Sequence, residues 1–290
     1  VGSKFGVTFP QTEFGNDRIA IRDYAQTIEG LGFRSFLAYD HVLSADTTNR
    51  PGWSGYDLAD PFHEIFVLFG FVAAVTEQVD LISGVLILPQ RQTALVAKQA
   101  AEVDILSGGR LRLGIGVGWN EVEYDGLQKS FNDRGARSEE QIRLLRELFT
   151  HDSITFDGKW ESVHEAGILP LPIQRPIPIW IGGYVEETLK RIGRLGDGWF
   201  CWREPDDAMK AAIERLRGYT AAAGRDPESV GLQPQLTLAR GDADYWTRYV
   251  RDWEALGANE FVLNTMGGGL KTPSEHIALL TEAAKVLGVS

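Results

Sequence analysis

The chain has one cysteine in 290 residues, Cys201, so it forms no internal disulfide. That suits a reducing compartment, and with no apolar h-region in its opening stretch "VGSKFGVTF" the sequence is expected to be cytoplasmic. No apolar run reaches membrane-spanning length; the densest, Phe66 to Val75, is too short. Positive charge is scarce: the net charge of −11 excludes a broad nucleic-acid or anionic-membrane surface, so neither partner is expected. The five histidines (His41, His63, His151, His164 and His276) lack metal-ligand spacing, and "HEIFV" lacks the second His of a zinc-protease helix. No catalytic metal is expected. A Gly-x-Ser-x-Gly elbow is missing too, and Cys201 has no base beside it, which weighs against nucleophilic hydrolysis.

What the sequence does have is rhythm. Strand patterns at Lys4–Thr8, Ser35–Tyr39, Leu81–Leu88, Arg110–Val117, Pro178–Ile181, Gly198–Trp202, Val230–Leu238 and Asn259–Asn264 are each followed by a helical pattern. Asp17, Asp60, Thr93 and Thr272 stand where helix N-caps belong, and Pro61, Pro205 and Pro273 suit a first helical turn. Several strands are apolar on both faces, as strands buried under helices must be. Eight β/α units without a composition break predict one α/β domain over 1–290, a (β/α)8 TIM barrel rather than a doubly wound open sheet. One stretch, about 151–177, breaks the rhythm between helix four and strand five. There "SITF" and "KWES" flank Asp157–Gly158, a hairpin signal, and Pro170, Pro172, Pro176 and Pro178 follow. We read a hairpin and strap insertion, which either shapes the site or is a passive loop.

In a (β/α)8 barrel the site lies at the C-terminal ends of the strands. That rule selects Gln11 and Glu13, Asp40 and His41, Ser83 to Val85, Gly118 to Asn120, Gly182 to Tyr184, and Trp202. In "IWIGGYVEETLKRIG" a strand runs through Gly182–Gly183 straight into a helix, whose free N–H groups and positive dipole end suit a phosphate; a tight turn would use the same glycines. In "YDH" a carboxylate adjoins an imidazole fit to relay protons, although Asp40 as a loop cap and His41 as a rim residue would serve the same pattern. Asp40, Glu13 and Glu64 also hold open a glycosidase pair. "RLRLGIGVGWN" places glycines at 114, 116 and 118 but Trp at 119, so it is not the dinucleotide fingerprint, and we read no immediate helix after it.

Several segments resemble, in order, the luciferase-like monooxygenase family, in particular its deazaflavin (coenzyme F420) dependent oxidoreductases. They include "FGVTFPQ", "EGLGFRSFLAYDHV", the block from Asp60 to Leu127, "RGARSEEQIRLLRELFT", "FDGKWES", "PIWIGG" and "RLGDGW". The resemblance implies a flavin or deazaflavin across the strand ends. Asp40 and His41 would lie near its ring, and His41 would handle the proton. A non-proline cis peptide would fall at Gly84–Val85, after Ser83. Gly182, Gly183 and Tyr184 would hold the cofactor phosphate, and Gly118, Trp119 and Asn120 would border its chain. Phe9, Gln11, Trp53, His63 and Trp202 would wall the substrate pocket. The absence of Arg from "GVGWN" favours F420 over FMN, with Arg91, Arg134 or Arg137 meeting its acidic tail or serving as ordinary surface charges. The expected function is hydride transfer between F420 and a small organic substrate, in an assembly that is commonly a homodimer in the family. An FMN-dependent monooxygenase is the alternative; a glycosidase or a non-catalytic cofactor-binding barrel is more distant.

Overall fold

The computed structural model describes residues 2–289. The first strands are β1 (Lys4–Thr8), β2 (Ser35–Ala38), β3 (Asp80–Ser83) with its short continuation β4 (Leu86–Ile87), and β5 (Leu111–Gly116). An antiparallel hairpin, β6 (Ile154–Asp157) and β7 (Ser162–Ala166), stands apart. The main sheet resumes with β8 (Ile179–Gly182), β9 (Gly198–Phe200), β10 (Gly231–Gln233), β11 (Gln235–Thr237) and β12 (Glu260–Asn264). Its pairings are all parallel.

The strand order is β10-β9-β8-β5-β3-β2-β1-β12-β11. The two edges, β10 and β11, are halves of one run interrupted at Pro234, so residues 231–237 close the ring. Proline has no N–H to give a ladder, and here it sits where the run changes partner. The expected (β/α)8 TIM barrel is therefore the architecture found.

Alternation along the strands explains the layers. Phe36, Leu81 and Phe261 join the large core beneath the helices, whereas Leu37, Ile82 and Val262 form a second cluster with Trp180 and Phe200. Successive side chains point to opposite faces of a strand, so both faces are dry. The outer helices are α2 (Arg18–Gly30), α3 (Ile65–Val75), α4 (Thr93–Leu106), α6 (Arg134–Thr150), α7 (Glu186–Leu195), α8 (Asp207–Ala222), α9 (Ala243–Glu254) and α10 (Pro273–Leu287); α1 (Gln11–Phe14) and α5 (Glu121–Gly126) are short helices after β1 and β5. No helix is long and apolar enough to cross a membrane among the described residues.

Local chemistry corrects several boundaries. Asp17 and Thr272 cap as expected, the latter in a reciprocal capping box with Glu275. Helix α3 begins at Ile65 rather than Pro61, because Glu64 accepts the Val67 N–H (2.8 Å) while Asp60 takes part in the preceding turn. Asp206, not Pro205, precedes α8, and Thr93 is the first residue of α4. A helix does follow "GVGWN" at once: the Asn120 side chain accepts from Val122 and Glu123 N–H and starts α5. The hairpin turn is longer than Asp157–Gly158. Gly158 N–H bonds the Glu161 carbonyl (2.9 Å), and β7 starts only at Ser162, the last residue of "KWES". This hairpin docks on α6. Glu140 accepts the N–H groups of Lys159, Trp160 and Glu161, and Trp160 Nε1 donates to Asp133 (3.0 Å).

Candidate active site

At the C-terminal end of the barrel lies a cavity of about 430 Å³. Tyr39 to His41, Gly84, Val85, Gly116 to Trp119, Gly182 to Tyr184, Phe200 and Trp202 form its walls, joined by Tyr56 from the β2–α3 loop and by Ile87. A larger hollow of about 660 Å³ lies at the other end, between the start of β1 and the end of α10. It holds none of the expected site residues, so the first cavity is the candidate active site.

Asp40 is 3% exposed. Its carboxylate takes Arg91 Nη2 (2.7 Å) and the Ile87 N–H (3.3 Å), and Arg91 also reaches Glu64 (3.3 Å). Burial pushes the Asp40 carboxyl above its usual range, and the Arg91 charge offsets part of that. Arg91 is thus engaged with carboxylates of this chain and is not held ready for a cofactor tail. Arg134 stacks over Phe131 (3.5 Å), and Arg137 is buried, bonded to the Pro89 carbonyl and paired with Asp133.

His41 stands among aromatic rings: Phe62 at 4.7 Å, Tyr56 at 5.3 Å and Trp119 at 6.0 Å. Its Nδ1 lies 3.2 Å from Glu123 Oε2. Glu123 was missed by sequence reasoning. It sits on α5, 1% exposed, and also accepts the N–H groups of Val42 (2.5 Å) and Leu43 (3.2 Å). Burial alone would raise its carboxyl, but His41 and those two N–H groups outweigh it and hold the group below its usual value. The available signal was the Asn120 cap: a helix started there puts Glu123 in its first turn.

The peptide bond Gly84–Val85 is cis, as the resemblance implied. It falls in the bulge between β3 and β4, and the glycines of β5 fit around that bulge. A Cβ on Gly114 would overlap the Ser83 carbonyl oxygen and lie 2.6 Å from Phe200; one on Gly116 would lie 2.5 Å from Val85. Ser83 Oγ bonds both the N–H and the carbonyl of Gly114 at 2.8 Å. Thus Gly84 and Val85 line the cavity, while the Ser83 hydroxyl is spent on the fold.

On the other side, Gly183 leaves β8 at φ +126°, a conformation that suits glycine. Its carbonyl accepts Trp199 Nε1 (2.9 Å), and Arg203 stacks over Tyr184 (4.0 Å). The first turn of α7 carries two carboxylates that would repel an anion, but both are paired away from the helix start: Glu186 with Arg215 and Tyr219, Glu187 with Lys190. Trp202 Nε1 is buried without a partner at the cavity wall.

The other expected wall residues fall elsewhere. Phe9 is fully buried in the core, stacked on Phe36 (5.1 Å) and edge-on to Phe14 (5.0 Å). Gln11 is buried and donates to the Tyr39 carbonyl (2.8 Å); His63 packs on Phe9 at 6.1 Å, and burial lowers its imidazole. None of the three is part of the cavity wall. Trp53 stays outside the cavity but packs on Trp119 (5.8 Å). Asn120 is a helix cap. Of the three candidate glycosidase carboxylates only Asp40 lines the cavity; Glu13 accepts the Gly267 N–H instead. Cys201 is buried and burial pushes its thiol up, which disfavours a thiolate nucleophile. No insertion residue lines the cavity.

Residues 6–283 match the family model described as luciferase-like monooxygenase. The chain belongs to the luciferase-like monooxygenase family. Among relatives, an uncharacterized protein of Mycobacterium tuberculosis is 37% identical over 166 residues, 57% of either chain, so the match spans little more than half of that relative. The F420-dependent glucose-6-phosphate dehydrogenase of Kineococcus radiotolerans is 30% identical over 241 residues, 81% of this chain and 68% of that one. The FMNH(2)-dependent dimethylsulfone monooxygenase of Pseudomonas putida is 31% identical over 207 residues, 70% of this chain and 54% of that one. In fold, the luciferase-like chain superposes on an F420-dependent secondary alcohol dehydrogenase with TM-score 0.78 at 17% identity, covering 99% of both chains.

Proposed function

We propose that this chain is an F420-dependent oxidoreductase that moves a hydride between the deazaflavin and a small, uncharged organic substrate. The observation that carries this reading is the cavity itself. Its walls are aromatic rings and glycines around the Gly84–Val85 bulge, and Asp40 and His41 are its only carboxylate and imidazole; no Lys or Arg lines it among the described residues. Such a wall suits a flat ring and an apolar substrate. It does not suit a phosphorylated sugar as substrate.

The residues fit the cofactor on one further count: the Trp202 Nε1–H at the cavity wall lacks a protein partner. Gly182, Gly183 and Tyr184, ahead of the α7 N-terminus, would hold the phosphate; Val85, Gly118 and Trp119 would border the ring and its chain. When bound, the deazaflavin supplies or takes the hydride. His41 then holds or gives the proton at its cavity-facing nitrogen, and the aromatic wall excludes water.

Titrating the purified protein with F420 and with FMN, followed by tryptophan quenching, tests the cofactor. Saturable F420 binding is expected; tight FMN binding with none for F420 overturns the reading in favour of a monooxygenase like the Pseudomonas relative. His41→Ala is expected to lower turnover on the order of 100-fold or more with F420 binding retained. Unchanged turnover would remove His41 from the chemistry.

A further inference from the structure

The pairing of His41 with Glu123 decides which ring nitrogen carries the proton. A carboxylate only accepts hydrogen bonds. Glu123 takes four donors: Val42 and Leu43 N–H on Oε1, and His41 Nδ1 and Gln90 Nε2 (3.4 Å) on Oε2. The imidazole nitrogen facing it must therefore be N–H, which leaves Nε2 bare in the neutral ring. Nδ1 is occupied and His41 borders the cavity, so Nε2 is the nitrogen left for a ligand.

We propose that Glu123 is a positioning residue that holds His41 in the Nδ1–H tautomer, making Nε2 a proton acceptor toward the cavity. The tautomer follows from these contacts alone, whereas its consequence for turnover rests on the function proposed above. The same carboxylate ties the start of the β2–α3 loop, at Val42 and Leu43, to α5. The imidazole and the loop that brings Tyr56 and Phe62 to it thus share one anchor.

Glu123→Gln separates these duties. The amide oxygen would keep the Val42 and Leu43 N–H groups, turning the NH₂ toward His41. Nδ1 would then have to accept, and the proton would move to Nε2. Gln90 can reverse its amide to suit, since its Oε1 is buried without a partner. The test is nitrogen-15 correlation NMR of the imidazoles in the cofactor-free protein, read at the alkaline limit of a pH series. In the native chain a pyrrole-like Nδ1 and a pyridine-like Nε2 are expected, and the two signatures should exchange in E123Q. A native Nε2–H tautomer, or the same tautomer in both proteins, overturns the proposal. The native spectrum alone decides if E123Q does not fold. Should the tautomers exchange while turnover with F420 is unchanged, the positioning of His41 stands and the catalytic use of Nε2 fails. With both correct, kcat falls on the order of 100-fold, KM stays nearly constant, and Glu123→Asp restores part of the loss.

Discussion

A second imidazole–carboxylate contact, distant from the cavity, behaves differently. His276 on α10 is fully buried, its Nδ1 2.7 Å from Thr265 Oγ1 and its Nε2 3.7 Å from Glu13. Burial lowers its imidazole more than Glu13 raises it. The folded chain thus refuses a proton that the unfolded chain accepts near the ordinary histidine value of about 6.5. Above that pH His276 has no effect on stability; below it, stability falls as the pH drops toward the lowered folded-state value. In His276→Gln, urea unfolding should show a shallower loss of stability between about pH 7 and pH 5 than the native chain does. Equal slopes would mean that the buried ring does not titrate in this range. Residue types in "FPQTE" and around His276 gave no hint of this contact. It exists because the loops after β1 and β12 are neighbours around the ring.

Strand β5 shows how an element can be legible while its reason is not. The glycines at 114, 116 and 118 mark a barrel strand rather than a phosphate loop, and that much follows from the Trp at 119 and from the units before it. Their cause is the bulge of the neighbouring strand, which leaves no volume for side chains at 114 and 116. Gly114→Ala should destabilise the protein by about 3 kcal/mol, because a backbone carbonyl stands in the way. Gly116→Ala should cost less, because the Val85 side chain can turn aside. Urea midpoints compare the two; equal or negligible losses would show that the strand relaxes freely. The α5 helix was passed over because six residues carry too little periodicity to register, yet its cap and its buried Glu123 build the site.

At the scale of the whole molecule, the insertion turns out to be a brace. Its hairpin lies on α6 through Glu140 and Asp133, and Glu161 bonds Thr93 (2.7 Å) at the head of α4. Replacing Ile154–Ala166 by a short Gly–Ser link should lower the unfolding midpoint while leaving F420 affinity within a few-fold of the native value. A collapse of affinity in a folded variant would mean that the hairpin reaches the cofactor. Closure of the ring by residues 231–237 had no separate signal, because "VGLQPQLTL" reads as one strand; its division at Pro234 is visible only where its two neighbours are known.

The sequence by itself determined the barrel, the position of the insertion and the strand ends that meet at the site, because alternation, caps and turn glycines act over a few residues. Asp40, His41, Gly84, Val85, Gly182–Gly183, Tyr184 and Trp202 all follow from that map, and the bulge at Gly84–Val85 from the family resemblance. Only the tertiary structure decided what those groups touch. Arg91 lies 51 residues from Asp40, and Glu123 lies 82 from His41, so each pairing depends on how strands and loops are stacked around a closed ring. The same stacking left Phe9, Gln11 and His63 off the cavity wall. Strand order decides neighbours, and neighbours decide which charge is free to act.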